Sequence, residues 1–216
     1  MKTILLTISA VVLSAIALSS DAKAAVASFG SSKISDMYLR YRSIIDSECS
    51  RLGIPVSTAV AVLSVESSGN PYGSDGRLLI NFEPKTFAKK VNTSISFPGG
   101  TQAREYEALY MAAEINEYYA YWSTSMGMAQ IMGFNCKLVG YDSPIHMFEA
   151  FSSSAEEQVR SFFRFCENNK GGVLVKAARE DDFTTFAYYY NGPAQKGYDS
   201  KMLKAKQSFT KATGII

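Results

Sequence analysis

The chain has 216 residues, with 22 Lys and Arg against 20 Asp and Glu and a formal net charge of +2. That balance excludes a strongly basic nucleic-acid binder and an acidic disordered tail, while 47% hydrophobic residues, with 13 Tyr and 13 Phe, suffice for a substantial core. One His and three Cys leave little for a zinc site or a His-dependent nucleophile, so catalysis would fall to carboxylates, and no metal or organic cofactor is expected.

Residues 1–24 read as a signal peptide. Lys2 supplies the positive start, Ile4 to Leu18 an apolar stretch, and Ala22-Lys23-Ala24 the small residues before a cleavage site. Residues 25–216 then form a single domain, secreted or periplasmic, with no stable membrane insertion once the signal is removed. In an oxidising compartment Cys49, Cys136 and Cys166 allow one disulfide plus a free thiol, or none. Cys166 follows Val159, Phe162 and Phe163 at helical spacing and reads as a buried apolar residue.

A helical pattern opens at Ser35-Asp36, with Met37, Tyr41, Ile44 and Ile45 on one face, and stops near Leu52-Gly53. Ser57 is placed to cap a second helix whose stripe is Val56, Ala59, Val60 and Leu63; Gly69-Asn70-Pro71 ends it. A turn from Tyr72 to Gly76 leads into Leu78–Phe82, an apolar run more like a strand. Residues 92–101 read as a loop and 103–121 as a helix. Ser153 and Glu156 form a capping box before a helix carrying Val159 to Cys166, which breaks at Asn168 to Gly172. Asp182 caps a helix with Phe183, Phe186, Ala187 and Tyr190, stopped by Asn191-Gly192-Pro193. A last helix runs from about Tyr198 to Phe209. The fold class is α+β, predominantly helical, with one small β element near residues 72–83.

Glu66 is the first chemical candidate. It continues the stripe of Ala59 and Leu63, so its carboxylate points along a buried face near a helix C-terminus. Desolvation and the negative helix end both disfavour its charged form, which suits a general acid; the alternative is a terminal-turn Glu bending out to water. Gly127 and Gln130 lie in a second element, Ser125 to Met132. There glycine permits close backbone approach and glutamine offers a donor and an acceptor to a sugar; the plainer reading is a glycine opening a buried helix with a methionine core. Tyr190-Asn191-Gly192 is the third, with a Tyr hydroxyl at a cleft wall or in the core. Tyr72, Phe82, Phe97, Tyr121 and Trp122 read as sugar-stacking or packing residues. His146 lies in a Ser-Pro loop region and is assigned no role.

Glu66-Ser67, then Gly127 to Gln130, then Tyr190-Asn191-Gly192 resembles, in order, the peptidoglycan-cleaving lysozyme-like superfamily. More closely, the chain resembles the N-acetylmuramidase domain family of phage endolysins and bacterial muramidases over about residues 51–205. The resemblance rests on Ala61 to Ser67, on Asp75-Gly76-Arg77 with Ile80 to Glu83, and on Gly127 to Asn135. Gly140-Tyr141, Tyr190 to Pro193 and Tyr198-Asp199 complete it. Pro84-Lys85 departs from the Arg-His that the family more often shows. The resemblance implies a lysozyme-like fold and cleavage of the β-1,4 bond between N-acetylmuramic acid and N-acetylglucosamine. Glu66 would be the general acid, and Gly127, Gln130, Asn135, Tyr190 and Asn191 would bind substrate in the cleft.

Glycosidases usually pair two carboxylates. Glu83, ending the small β element, is the first choice for the partner and Asp75 the second; the other reading pairs Glu83 with Arg77 or Lys85. Without a second carboxylate a lytic transglycosylase, giving anhydro-muramic ends, is the alternative, and a non-catalytic cell-wall-binding protein is the rival from another class. The expected partner is the peptidoglycan glycan strand, met by a monomer.

Overall fold

The computed structural model describes residues 33–67, 69–193 and 197–216. The expected signal at residues 1–24 lies outside them.

The first helix, α1 (Lys33–Leu52), buries Met37, Tyr38, Tyr41, Ile45, Cys49 and Leu52 and kinks at Tyr41. It packs on α2 (Val56–Ser67), which is buried all round rather than along one stripe: Ala59, Val60, Ala61, Val62 and Leu63 are each at most 2% exposed. No charge interrupts α2 before Glu66, so nothing in it resists full burial. Its start also differs from expectation. The Pro55 carbonyl accepts from Thr58 N (3.0 Å) and Ala59 N (3.2 Å), while Ser57 lies inside the helix with its hydroxyl buried and unpartnered. Backbone geometry after a proline has replaced the expected serine cap.

The β element is larger than 72–83. Strands β1 (Ile80–Phe82), β2 (Thr124–Met126) and β3 (Ile131–Met132) form an antiparallel sheet in the order β1-β2-β3, with Asn81 opposite Ser125 and Ser125 opposite Met132. Met, Ala and Gln favour helix locally, so Ser125 to Met132 hides its hairpin; pairing with β1 overrides that preference. The free edge of β1 is covered by side chains instead of a strand. Phe82 N donates to Glu105 Oε2 (2.9 Å) and Ile80 N to Gln102 Oε1 (3.5 Å), while Gln102 Nε2 donates to the Leu78 carbonyl just before the strand (2.7 Å).

Helix α3 (Pro84–Val91) was not expected, although Pro84 in its first turn and Lys89-Lys90 in its last are the usual marks of a short helix. Helix α4 (Gln102–Trp122) is capped by Thr101 and interrupted at Asn116. Two further helices were missed. One is α5 (Pro144–Ser153), capped by Ser143, which puts the exposed His146 in a helix rather than a loop. The expected capping box is displaced by one residue: Ser154, not Ser153, accepts from Glu157 N to start α6 (Ala155–Asn168). The other missed helix is α7 (Val173–Arg179). Helix α8 (Phe183–Asn191) is capped by Asp182 as expected, and α9 (Tyr198–Thr213) outruns its expected end. Helices α1 and α9 pack on α2, α8 packs on α9, and the sheet leans on α4. Cys49, Cys136 and Cys166 are all buried thiols without a disulfide.

Candidate active site

Glu66 occupies the last turn of α2, next to the tightly packed Leu63 layer. Burial pushes its carboxyl up to about 7, and the Asn191 amide and the Lys201 charge pull back only in part. Asn191 Nδ2 donates to Glu66 Oε1 (3.3 Å) from the end of α8. The C-terminal end of a helix offers carbonyl oxygens, so it too favours the neutral acid. Glu66 opens into a cleft of about 390 Å³ whose walls include Glu83, Gln130, Asn135, Tyr190 and Asn191. The sequence-predicted residues from four separate segments therefore meet in one place.

Glu83 leaves β1 and precedes α3. Its backbone N–H donates to the Ser123 carbonyl (2.9 Å), and its own carbonyl accepts from Thr86 N and Phe87 N. Its carboxylate accepts from Asn81 Nδ2 (2.8 Å). Of the two alternative partners, Arg77 and Lys85, Arg77 is occupied elsewhere: it pairs with Asp75 (2.7 Å) and lies 3.9 Å over the Tyr106 ring. Asp75, the second choice for a catalytic carboxylate, does not line the cleft and is held low by the Arg77 guanidinium.

Gln130 turns the β2–β3 hairpin with φ +47°, a left-handed conformation that costs a non-glycine residue. Two bonds hold it there: Nε2 donates to the Gly127 carbonyl (2.8 Å), and Oε1 accepts from Ser125 Oγ (2.9 Å). One amide hydrogen remains for a ligand. Gly127 does not line the cleft, which corrects its expected role as a substrate-binding residue. It has φ +71°, and a Cβ there would lie 2.5 Å from Gln158 Oε1. Gln158 is fully buried, accepting from Met128 N (2.7 Å) and donating to the Phe151 carbonyl (2.8 Å). Gly127 therefore lets the hairpin turn sit on this amide, and the turn in turn presents Gln130.

Tyr190 lines the cleft with its hydroxyl committed to the Ala129 carbonyl (2.7 Å) and its ring stacked on Phe186 at 5.5 Å. Burial raises its phenol well above the ordinary range, so it acts as a fixed donor and brace rather than an acid. Ser125, Ile131, Met132, Phe165 and Tyr198 also line the cleft and were missed as site residues. Ser125, Ile131 and Met132 become visible only once the hairpin is known. Tyr198 carried a signal in the Tyr198-Asp199 pair of the family resemblance. Burial and then the nearby Glu66 charge raise its phenol.

The five aromatics read as sugar-stacking or packing residues are not on the cleft wall. Phe82 packs with Phe87 and Phe97 at 5.7 and 5.2 Å, and Tyr121 packs on Phe148 at 4.9 Å. Among the described residues no group of three or more His, Cys, Asp or Glu could hold a metal ion, and no helix is long and apolar enough to cross a membrane.

A family model described as Muramidase, N-acetylmuramidase, matches residues 55–210. No curated protein matches the chain. Among solved structures, the Burkholderia AP3 phage endolysin aligns with a TM-score of 0.67 and 28% identity, covering 79% of this chain and 71% of its own.

Proposed function

The chain belongs to the N-acetylmuramidase family, a peptidoglycan-hydrolysing family, and from that premise we propose that it hydrolyses the β-1,4 bond between N-acetylmuramic acid and N-acetylglucosamine with Glu66 as general acid. One observation carries the reading: a desolvated carboxyl raised to about 7 shares a polar cleft with a second carboxyl group from a different element. Glu66 gives its proton to the glycosidic oxygen as the bond breaks. Glu83, oriented by Asn81, meets the positive charge developing at the anomeric carbon, either by activating water or by attacking directly. The carboxyl separation with sugar bound decides between these routes, about 5 Å for attack and roughly 6.5–9.5 Å for water. Asn191 stabilises the carboxylate that Glu66 becomes.

The test is digestion of purified sacculi with mass spectrometry of the soluble fragments. Reducing-end N-acetylmuramic acid supports hydrolysis. Anhydro-muramic ends turn the reading to a lytic transglycosylase in which Glu66 works alone. Binding without fragments turns it to a non-catalytic wall-binding protein. In the same assay Glu83→Gln is expected to release fragments at least about a hundredfold more slowly, on the scale of a lost catalytic carboxylate. Full activity in that variant would leave Glu83 a structural group bonded to Asn81.

The reading includes export, with residues 1–24 removed to leave a secreted or periplasmic enzyme. Its support is the pattern from Lys2 to Ala24. Amino-terminal sequencing of the exported protein is expected to begin at Ala25, and a start at Met1 would replace the signal with a retained anchor.

A further inference from the structure

The cleft is small for its polymeric substrate. A volume of about 390 Å³ lies at the low end of the roughly 300–1,000 Å³ that holds one drug-sized molecule. It suits the sugars beside the scissile bond, not a strand.

Beside it runs a line of aromatic rings that the mechanism does not use. Met132 and Asn135 line the cleft; Phe134, between them in the chain, is 42% exposed. The Phe134 ring lies 5.0 Å from Trp122, Trp122 lies 6.0 Å from Tyr119, and Tyr119 lies 5.4 Å from Tyr118, which is 46% exposed. Each step is comparable to one pyranose ring. Lys90 Nζ sits 4.4 Å over Trp122 and 5.9 Å over Tyr119. Exposing this much aromatic surface in one place is costly unless something covers it. Gly133 makes the line by letting the turn approach the end of α4 so closely that a Cβ would lie 2.0 Å from the Tyr121 carbonyl oxygen.

Resting on the muramidase reading, we propose that this ridge is a glycan-strand subsite outside the catalytic cleft. Phe134 stacks on the sugar next beyond those in the cleft, Trp122 buttresses it, and Lys90 meets a carboxylate of the muramyl or peptide substituent. Three observations select this occupant. Phe134 shares the turn Gly133–Asn135 with Asn135, which lines the cleft together with Met132. The apolar C–H face of a pyranose matches an exposed aromatic ring, and the lysine matches the negative charge of the peptidoglycan strand. The alternating rings and flanking cation fit an extended polymer rather than a globular partner's apolar face.

The experiment compares the purified protein with Phe134→Ala on intact sacculi and on a soluble disaccharide of the glycan, which reaches only the sugars beside the scissile bond. The ratio of kcat/KM on sacculi to that on the disaccharide is expected to fall roughly five- to tenfold, through KM, and Phe134→Trp is expected to restore it. Leu203→Ala, an exposed apolar change elsewhere, leaves the ratio unchanged. An unaltered ratio in Phe134→Ala, or an equal loss on both substrates, overturns the subsite. Pelleting with sacculi in a Glu66→Gln background separates this from failure of the parent reading: Phe134→Ala is expected to weaken pelleting by a similar factor. A parent protein that neither cleaves nor pellets with sacculi overturns the muramidase reading itself, and the subsite with it.

Discussion

Glu66→Gln is expected to lose activity by about 10²–10⁴-fold and, at the same time, to be more stable than the parent protein at pH 8. Both follow from one feature. Burial at the end of α2 lifts the carboxyl to about 7, so the folded protein binds a proton that the unfolded chain, with an ordinary glutamate, releases near pH 4.5. Below that pH both states are protonated and Glu66 costs nothing. As pH rises from about 4.5 to 7 the unfolded state gains by ionising while the folded state does not, and stability falls. Above 7 the full penalty is present, on the order of 3 kcal/mol. Glutamine keeps the shape and has no charge to desolvate. The variant's denaturation midpoint is expected to match the parent at pH 4 and exceed it at pH 8. Equal midpoints at both values would remove the desolvated acid from the argument. Parent activity is expected to decline as pH rises through about 7, because the acid must hold its proton to deliver it.

The desolvation of Glu66 is also why the cleft was legible in part. Glu66 stands out in the sequence because a carboxylate continuing an apolar stripe breaks the local rule that charges face water, and the structure places it in the cleft. Asp182 was found as a cap because capping is local: a short side chain and a nearby amide suffice, and Thr185 N bonds to it as expected. What escaped depends on partners far away in sequence. The β2–β3 hairpin owes its extended form to β1, more than forty residues earlier, and to Gln158, thirty residues later, whose amide holds Met128 N. No window around Ser125 to Met132 contains either partner. Gly127 stood out for close approach, because the sequence reveals that need but not what approaches. Its neighbour is a buried glutamine rather than a sugar. The five aromatics were left between sugar stacking and packing for a related reason. Aromatic residues are common in this chain, and only the fold separates the Phe82-Phe87-Phe97 cluster from a ring that reaches solvent.

The two walls of the cleft are held by different physics. The α2 wall is fixed by apolar burial on all sides, so Glu66 sits at the end of a rigid rod. The Glu83 wall is a strand of three residues, too short to hold itself, and is fixed by hydrogen bonds on both edges. On one side it pairs with β2. On the other, Glu105 takes the Phe82 N–H with one oxygen and the Gly100 N–H (3.0 Å) with the other. A carboxylate accepting two backbone donors in this way ties β1 to the 92–101 loop, so the loop clamps the strand that carries Glu83 toward the acid.

Gly133→Ala is expected to destabilise the protein by at least about 3 kcal/mol, the upper end of overpacking costs, and to reduce activity in whatever fraction remains folded. The reason is steric and not conformational. Gly133 is outside the left-handed region, so alanine would be tolerated by the backbone angles alone. What it meets is the main chain of the α4 terminus: the Tyr121 carbonyl oxygen at 2.0 Å, its carbon at 2.9 Å and Trp122 Cα at 3.0 Å. A flexible side chain could swing aside, but a helix end and a turn cannot. Relief requires the turn Gly133–Asn135 to move away from α4, which carries Asn135 off the cleft wall and Phe134 off Trp122. Chemical denaturation measures the loss, and a midpoint close to the parent's would mean that the contact relaxes without cost. Gly76→Ala serves as the comparison: φ is +76° there but nothing lies within 4 Å of a Cβ, so only the left-handed strain of about 1–2 kcal/mol should appear. The larger loss should belong to Gly133, the glycine whose backbone angles give no warning of it.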